Sequence, residues 1–290
     1  MHTVLSNETI KYKLIKYHRL IQENPIIRII VAPIWIPKRY LEMRRYCKSK
    51  DSLYLKSLYK KYSGKRCFII GNGPSLTSKD LDLIKNEISF GSNRIFNMFN
   101  NTLWRPTFYF CIDRQNIIDD IETIKKLKIP YKFLSLSAKK YGRNRKDNIR
   151  YLLLYGRYSI RVEKRFHGYG TVQEDISKYV STTQSVTCTM IEMAFYMGFR
   201  EIYLLGVDHS FPITIDSKGK KNFDYTIEGH FKDGGFKDSS IDVAHYDALT
   251  DSYKVLQTYA IDHGIEIYNA TRGGKLEVYK RTNLEDIINL

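Results

Sequence analysis

From residue 64 onward the chain alternates short apolar runs with helical stretches, and most of the runs stop at a polar residue. RCFII (66–70) leads into Asn72, and ISFG (88–91) into Ser92 and Asn93. FYFCI (108–112) leads into Asp113, and IYLLG (202–206) into Asp208. YKFLSLS (131–137) and IEIYNA (265–270) are further strands. Helices are expected over 78–87, 114–127, 181–197 and 245–264, the third turning Met190, Met193, Ala194 and Met197 toward the core and the last stopped by Gly264. Strands separated by helices predict a Rossmann-like, doubly wound, mostly parallel α/β sheet. In such sheets ligands bind beyond the carboxyl ends of the strands, where the strand order switches. Asn72, Asn93, Asp113 and Asp208 are therefore expected to line one crevice.

Gly71-Asn72-Gly73-Pro74-Ser75-Leu76 follows the first strand directly. Two glycines let the backbone bend and approach a ligand without Cβ obstruction. Pro74 suits a first helical turn, and Ser75 adds a hydroxyl at the helix's positive end. The turn is expected to meet the phosphate-bearing end of a nucleotide; without GxGxxG, a dinucleotide is not indicated. Asp80-Leu81-Asp82 has the letters of a DxD metal motif, but on a helix start capping explains it.

At 290 residues and 43% hydrophobic content the chain buries one sizeable core, or one core and a small appendage. The net charge of +16 is uneven. Residues 1–65 hold 15 Lys and Arg against 4 Asp and Glu. Two basic amphipathic helices are expected there, at 8–22 and about 38–62, separated by an apolar stretch broken at Pro25, Pro33 and Pro37. The segment either packs on the catalytic domain, pairs with a second subunit as a homo-oligomer, or meets an anionic membrane surface. Nucleic acid is not expected as a partner, because no binding motif accompanies the charge. The polar stretch 210–244 reads as a lid. The organisation expected is an extension over 1–63 and a catalytic domain over 64–290. Four scattered cysteines read as buried thiols, and no stretch reaches the roughly 18–20 apolar residues of a membrane span. The location expected is cytoplasmic, or peripheral on the inner face of the cytoplasmic membrane.

GNGPSL, the strand ending GSN, TTQSVTCTMIEMAFYMGFREIYLLGVD and IEIYNATRGGKLEVYKR occur in order over roughly residues 64–285. Together they resemble the domain typified by the archaeal hydroxymethyl-dihydropterin pyrophosphokinase and the motility-associated factors. The pattern is also similar to the bacterial sialyltransferases that use CMP-sialic acid, which implies a single catalytic domain of GT-A-like type. The resemblance implies a metal-independent inverting glycosyltransferase with no cofactor. It would take a nucleotide-sugar donor, CMP-linked or other, and a cell-surface glycan or glycolipid acceptor. It makes Asn72, Gly73 and Asn93 nucleotide contacts, with Gly71, Pro74 and Ser75 beside them. Thr183, Ser185 and Thr187 match its hydroxyl segment. Tyr225 would face the leaving phosphate. His245 stands where the family has its general base, with His209 and His230 as rivals. Asp113 departs from the family's asparagine and would bind a ribose hydroxyl or a metal. A Mg2+- and ATP-dependent diphosphotransferase using Asp113 and Asp208 is the alternative, and a non-catalytic binding protein is a third reading.

Overall fold

A computed structural model describes residues 25–142, 148–155, 172–181, 185–210, 213–215, 221–223 and 243–289. Its strands are β1 (Arg66–Ile70), β2 (Ser89–Ser92), β3 (Phe108–Cys111), β4 (Tyr131–Ser135), β5 (Ile149–Leu152), β6 (Leu154–Tyr155), β7 (Val180–Ser181), β8 (Glu201–Leu205), β9 (Ile213–Ile215), β10 (Lys221–Phe223), β11 (Glu266–Asn269) and β12 (Lys280–Arg281). Eight of them form one sheet in the order β12-β11-β8-β1-β2-β3-β4-β5, with every pairing parallel. From β1 the chain builds outward through β2 to β5, then returns to lay β8 on its other side. The order reverses between β1 and β8, which puts the switch-point crevice at their carboxyl ends.

The helices are α1 (Pro25–Cys47), α2 (Lys50–Lys56), α3 (Ser78–Leu83), α4 (Arg114–Lys126), α5 (Val186–Met197), α6 (Val243–Asp262) and α7 (Leu284–Ile288). Every residue of α5 from Thr187 to Met197 is buried, because the helix lies between the sheet and α6. It packs on Phe90, Phe108, Phe110 and Phe133, whose rings stack across β2, β3 and β4 at centroid distances of 4.8–6.4 Å. The other face of the sheet is covered by Leu81, Trp104, Ile117 and Ile124. Residues buried on both faces explain why the strands read as unbroken apolar runs. Lys132, 3% exposed, donates its ammonium to the carbonyls of Ile124, Lys125 and Leu127, closing the C-terminal end of α4.

The N-terminal region differs from expectation. α1 runs through Pro33 and Pro37, and the break comes at Lys48–Ser49, where the Ser49 hydroxyl caps α2. The prolines sit one turn apart and both are exposed, so the carbonyls they leave unbonded are on the side where water satisfies them. Tyr46, Leu55 and Leu58 are buried in the same core as α5. The amides of Lys60, Tyr62 and Gly64 bond the carbonyls of Tyr196, Met197 and Gly198. Residues 46–64 are thus built into the layer that α5 forms on the sheet, while Tyr40, Leu41, Leu53 and Tyr59 stay exposed. The expected helix at 8–22 lies outside the described residues. Among the described residues no helix is long and apolar enough to cross a membrane.

Candidate functional site

At the switch point the glycine turn after β1 meets the end of β8. The amide of Gly71 donates to Leu205 O and that of Gly73 to Gly206 O, both at 2.8 Å. A Cβ on Gly71 would stand 2.3 Å from Gly206 O, and one on Gly73 1.7 Å from Asp208 Oδ2. Both glycines are required by this approach. Ser75 Oγ donates to Asp208 Oδ2 at 2.8 Å, and the Ser75 amide bonds the same carboxylate. Asp208 is 8% exposed, and burial raises its pKa against these hydrogen bonds. The amides at 71, 73 and 75 are therefore consumed within the fold. Of the three, only the Ser75 amide meets an anion, the Asp208 carboxylate; those of Gly71 and Gly73 meet carbonyls of β8 and the residue after it.

The helix after the turn also starts later than expected. Thr77 caps α3 in a reciprocal capping box with Asp80, so Pro74 and Ser75 precede the helix. Arg272 holds Asp80 at 2.6 Å and Glu285 at 2.7 Å. Asp82 accepts from the Thr102 hydroxyl. Arg281 grips the carbonyls of Thr271, Gly273 and Gly274, fixing the loop whose Lys275 amide donates to Asp208 O at 2.7 Å.

The turn instead offers acceptors. Asn72 Nδ2 donates to Ser92 O at 3.1 Å, which fixes the amide and aims Oδ1 the other way. Asn72 Oδ1 and Asn93 Oδ1 are buried and have no donor among the described residues. Asn93 sits in the left-handed region at φ +48°, its carbonyl held by the Tyr109 hydroxyl at 2.7 Å. Asparagine tolerates that backbone at a modest cost. Two desolvated carbonyls on neighbouring strand ends cost about 1–3 kcal/mol each unless a ligand brings hydroxyl or amine donors.

Asp113 caps α4, accepting from the Asn116 amide at 2.8 Å, and is exposed. Its strand is third from β8 in the sheet, roughly 14 Å away at about 4.8 Å per strand. One Mg2+ cannot reach both Asp113 and Asp208, and that pair does not fit a shared metal. Among the described residues no three metal-ligating side chains gather. Ser185 caps α5, and the Ser185 and Thr187 side chains share the Tyr253 hydroxyl of α6. Thr183, Tyr225, His230 and most of the 210–244 lid lie outside the described residues. His245 falls in the first turn of α6, where only the backbone is described. His209, the residue after Asp208, is buried at φ +50° with Nε2 2.8 Å from Thr250 Oγ1. Burial lowers its pKa to about 4, so the ring is neutral.

The parallel order and the switch point between β1 and β8 define a Rossmann-like α/β fold, with Asn72 and Asn93 at adjacent strand ends beside that switch point. The profile of the 6-hydroxymethylpterin diphosphokinase MptE-like family matches residues 40–214, more than half of the chain, and the chain belongs to that family. No curated protein matches it significantly. It is similar to the solved MAf glycosyltransferase from Magnetospirillum magneticum AMB-1, with a TM-score of 0.46 and 15% identity over 81% of this chain and 38% of that one. It is also similar to the sialyltransferase CstII from Campylobacter jejuni, solved with a substrate analogue, cytidine-5'-monophosphate. There the TM-score is 0.40 and the identity 16%, over 76% and 85% of the two chains. This chain spans 38% of the length of the MAf protein.

Proposed function

We propose that the chain is a nucleotide-dependent transferase of glycosyltransferase type, moving a sugar from a nucleotide-sugar donor to a glycan acceptor. The observation that carries this reading is the pair of buried, unmatched carbonyl oxygens on Asn72 and Asn93. They suit the hydroxyls of a ribose or the exocyclic amine of a base, of which a cytidine nucleotide has both. The phosphate then lies away from the glycine turn, where Leu205 O, Gly206 O and Asp208 already hold the amides of Gly71, Gly73 and Ser75, and toward the N-terminal end of α5 at Ser185 and Thr187. His245, at the start of α6, takes the proton from the acceptor hydroxyl as it attacks the anomeric carbon.

The test is calorimetric titration of CMP, UMP, GDP and ATP with and without Mg2+, followed by donor turnover in His245→Ala. CMP or a related pyrimidine nucleotide binds in EDTA, and turnover falls about 10²–10⁴-fold in the variant. Unchanged turnover in His245→Ala removes that residue from the role. The family's name favours a second reading, diphosphoryl transfer to a pterin. It requires activity that disappears in EDTA and Mg2+ ligands other than the Asp113–Asp208 pair.

The same reading sets the N-terminal region against an anionic membrane surface. Tyr40 and Leu41 are exposed on α1, with Arg44 and Arg45 exposed beside them. Flotation with phosphatidylserine vesicles should weaken in Arg44→Glu/Arg45→Glu. Removing residues 1–60 is no test, because it strips Tyr46, Leu55 and Leu58 from the core.

A further inference from the structure

A second recess includes His209, the residue after Asp208, in its lining. It is a cleft of about 460 Å³ between α6 and the segment 275–278. Thr250, Lys254, Gln257 and Thr258 line it from one face of α6, spaced three and four residues apart along the helix. His209 and Lys275 complete the lining, Lys275 from the segment 275–278. The opposite side of α6 is apolar, with Leu249, Tyr253, Leu256 and Ala260 in the core, so the polar stripe is not needed to pack the helix.

Two observations point to a ligand. Gln257 Oε1 is buried and has no donor among the described residues, so it is an acceptor awaiting a hydroxyl. The charges are also unbalanced. Among the described residues Glu277 is the one acid lining the cleft and is paired with Arg281, and Lys254 pairs with the exposed Asp251 at 3.1 Å. Lysines on two walls, an amide acceptor and a threonine hydroxyl match a hydroxylated anion of sugar size, and pockets for such ligands run from about 300 Å³ upward. The cleft adjoins the crevice directly, because His209 follows Asp208 and the Lys275 amide bonds Asp208 O.

We infer that this cleft is the acceptor subsite and takes a sugar carrying a phosphate or a carboxylate, with Lys254 and Lys275 on the anion and Gln257 on a ring hydroxyl. The inference rests on the transferase reading, so its test must separate the two. Glucose, glucose 6-phosphate and glucuronate differ only at one carbon, and each is titrated into the full chain, alone and with CMP present. Both anions bind at least about tenfold tighter than glucose, and the tighter of the two identifies the acceptor's charged group. Lys254→Ala and Lys275→Ala each weaken anion binding about tenfold. Gln257→Glu, which puts a carboxylate in the cleft, abolishes it. Lys125→Ala, at the opposite edge of the sheet, changes nothing. Equal binding of the three sugars, or lysine variants that behave like Lys125→Ala, overturns the inference. Anion binding without CMP binding leaves the cleft standing and removes the donor reading. CMP binding without anion preference removes the cleft alone.

Discussion

His209 Nε2 lies 2.8 Å from Thr250 Oγ1, and this hydrogen bond ties the carboxyl end of β8 to the helix that carries His245. The imidazole also stands edge-on to Tyr253, with ring centroids 5.6 Å apart. A non-glycine residue held at φ +50° beside a candidate site is strain kept in place by its surroundings. His209 therefore fastens the end of β8 to α6 at Thr250, seven residues into the helix.

Replacing His209 separates the contact from the strain. His209→Ala loses the Thr250 bond and the Tyr253 contact, about 1–3 kcal/mol, and still pays for the left-handed backbone. His209→Asn loses the same ring but tolerates that backbone, so it should be the milder of the two by about 1 kcal/mol. Urea unfolding measures the difference. Equal destabilisation would mean that the positive φ relaxes once the ring is gone.

Two buried groups give stability opposite pH slopes. The unfolded chain protonates His209 near 6.5, whereas the folded chain holds it neutral to about 4. Between those values the unfolded state binds more protons, so stability falls as the pH drops. Glu192, 1% exposed in α5, has its carboxyl pushed up to about 8 by burial, and hydrogen bonds from Gln173 and Ser181 offset only part of that. Its unfolded value is 4.5, so from there to about 8 the folded state binds more protons and stability falls as the pH rises. Glu192→Gln keeps an acceptor for the Gln173 amide and removes the alkaline loss. Unfolding midpoints at pH 5, 7 and 9 should show the variant gaining on the natural protein as the pH rises; a constant difference refutes the shifted carboxyl.

The sheet was legible because its strands are buried on both faces and end on polar residues, a pattern that survives without any knowledge of partners. Asn72 and Asn93 were found that way, and the structure makes them neighbours through Ser92 O. What the turn binds was not legible, since the Ser75–Asp208 bond joins residues 133 positions apart and no local pattern announces it. β12 was missed because two residues, Lys280 and Arg281, carry no periodicity. The continuity of α1 was missed for a different reason: proline weighs against helix in any window, and only exposure of Pro33 and Pro37 on one side makes it tolerable. The cleft beside α6 was not legible either, because its second wall, the segment 275–278, is supplied by a part of the chain beyond the helix.

The glycines of the turn should be far less replaceable than glycines elsewhere. Gly73→Ala drives a methyl into the Asp208 carboxylate and Gly71→Ala into the Gly206 carbonyl, backbone and a buried charge that have no room to yield. Each should cost about 3 kcal/mol or more. Gly264 sits at φ +62° with nothing within 4 Å of an added Cβ, so Gly264→Ala should cost only about 1 kcal/mol, from its backbone alone. Thermal unfolding of the three variants ranks them. A Gly73→Ala as mild as Gly264→Ala would show that β1 and β8 are not locked together at this point.

The division of labour at the crevice can be read with two ligands that differ by one phosphate. If Asn72 and Asn93 receive the nucleoside, Asn72→Ala weakens cytidine and CMP by the same factor, about tenfold for one lost hydrogen bond to a buried acceptor. Ser185→Ala, which removes a hydroxyl at the N-terminal end of α5, should weaken CMP and leave cytidine unchanged. Asp208→Asn is the sharpest case. Its side chain takes the hydroxyl and amide of Ser75, so the neutral amide loosens the turn without creating a phosphate site, and both ligands should weaken together. Calorimetry of the six combinations decides between two geometries. An Asn72→Ala that weakens CMP but spares cytidine would return the phosphate to the glycine turn, and Asp208 would then have to leave the Ser75 amide when the donor binds.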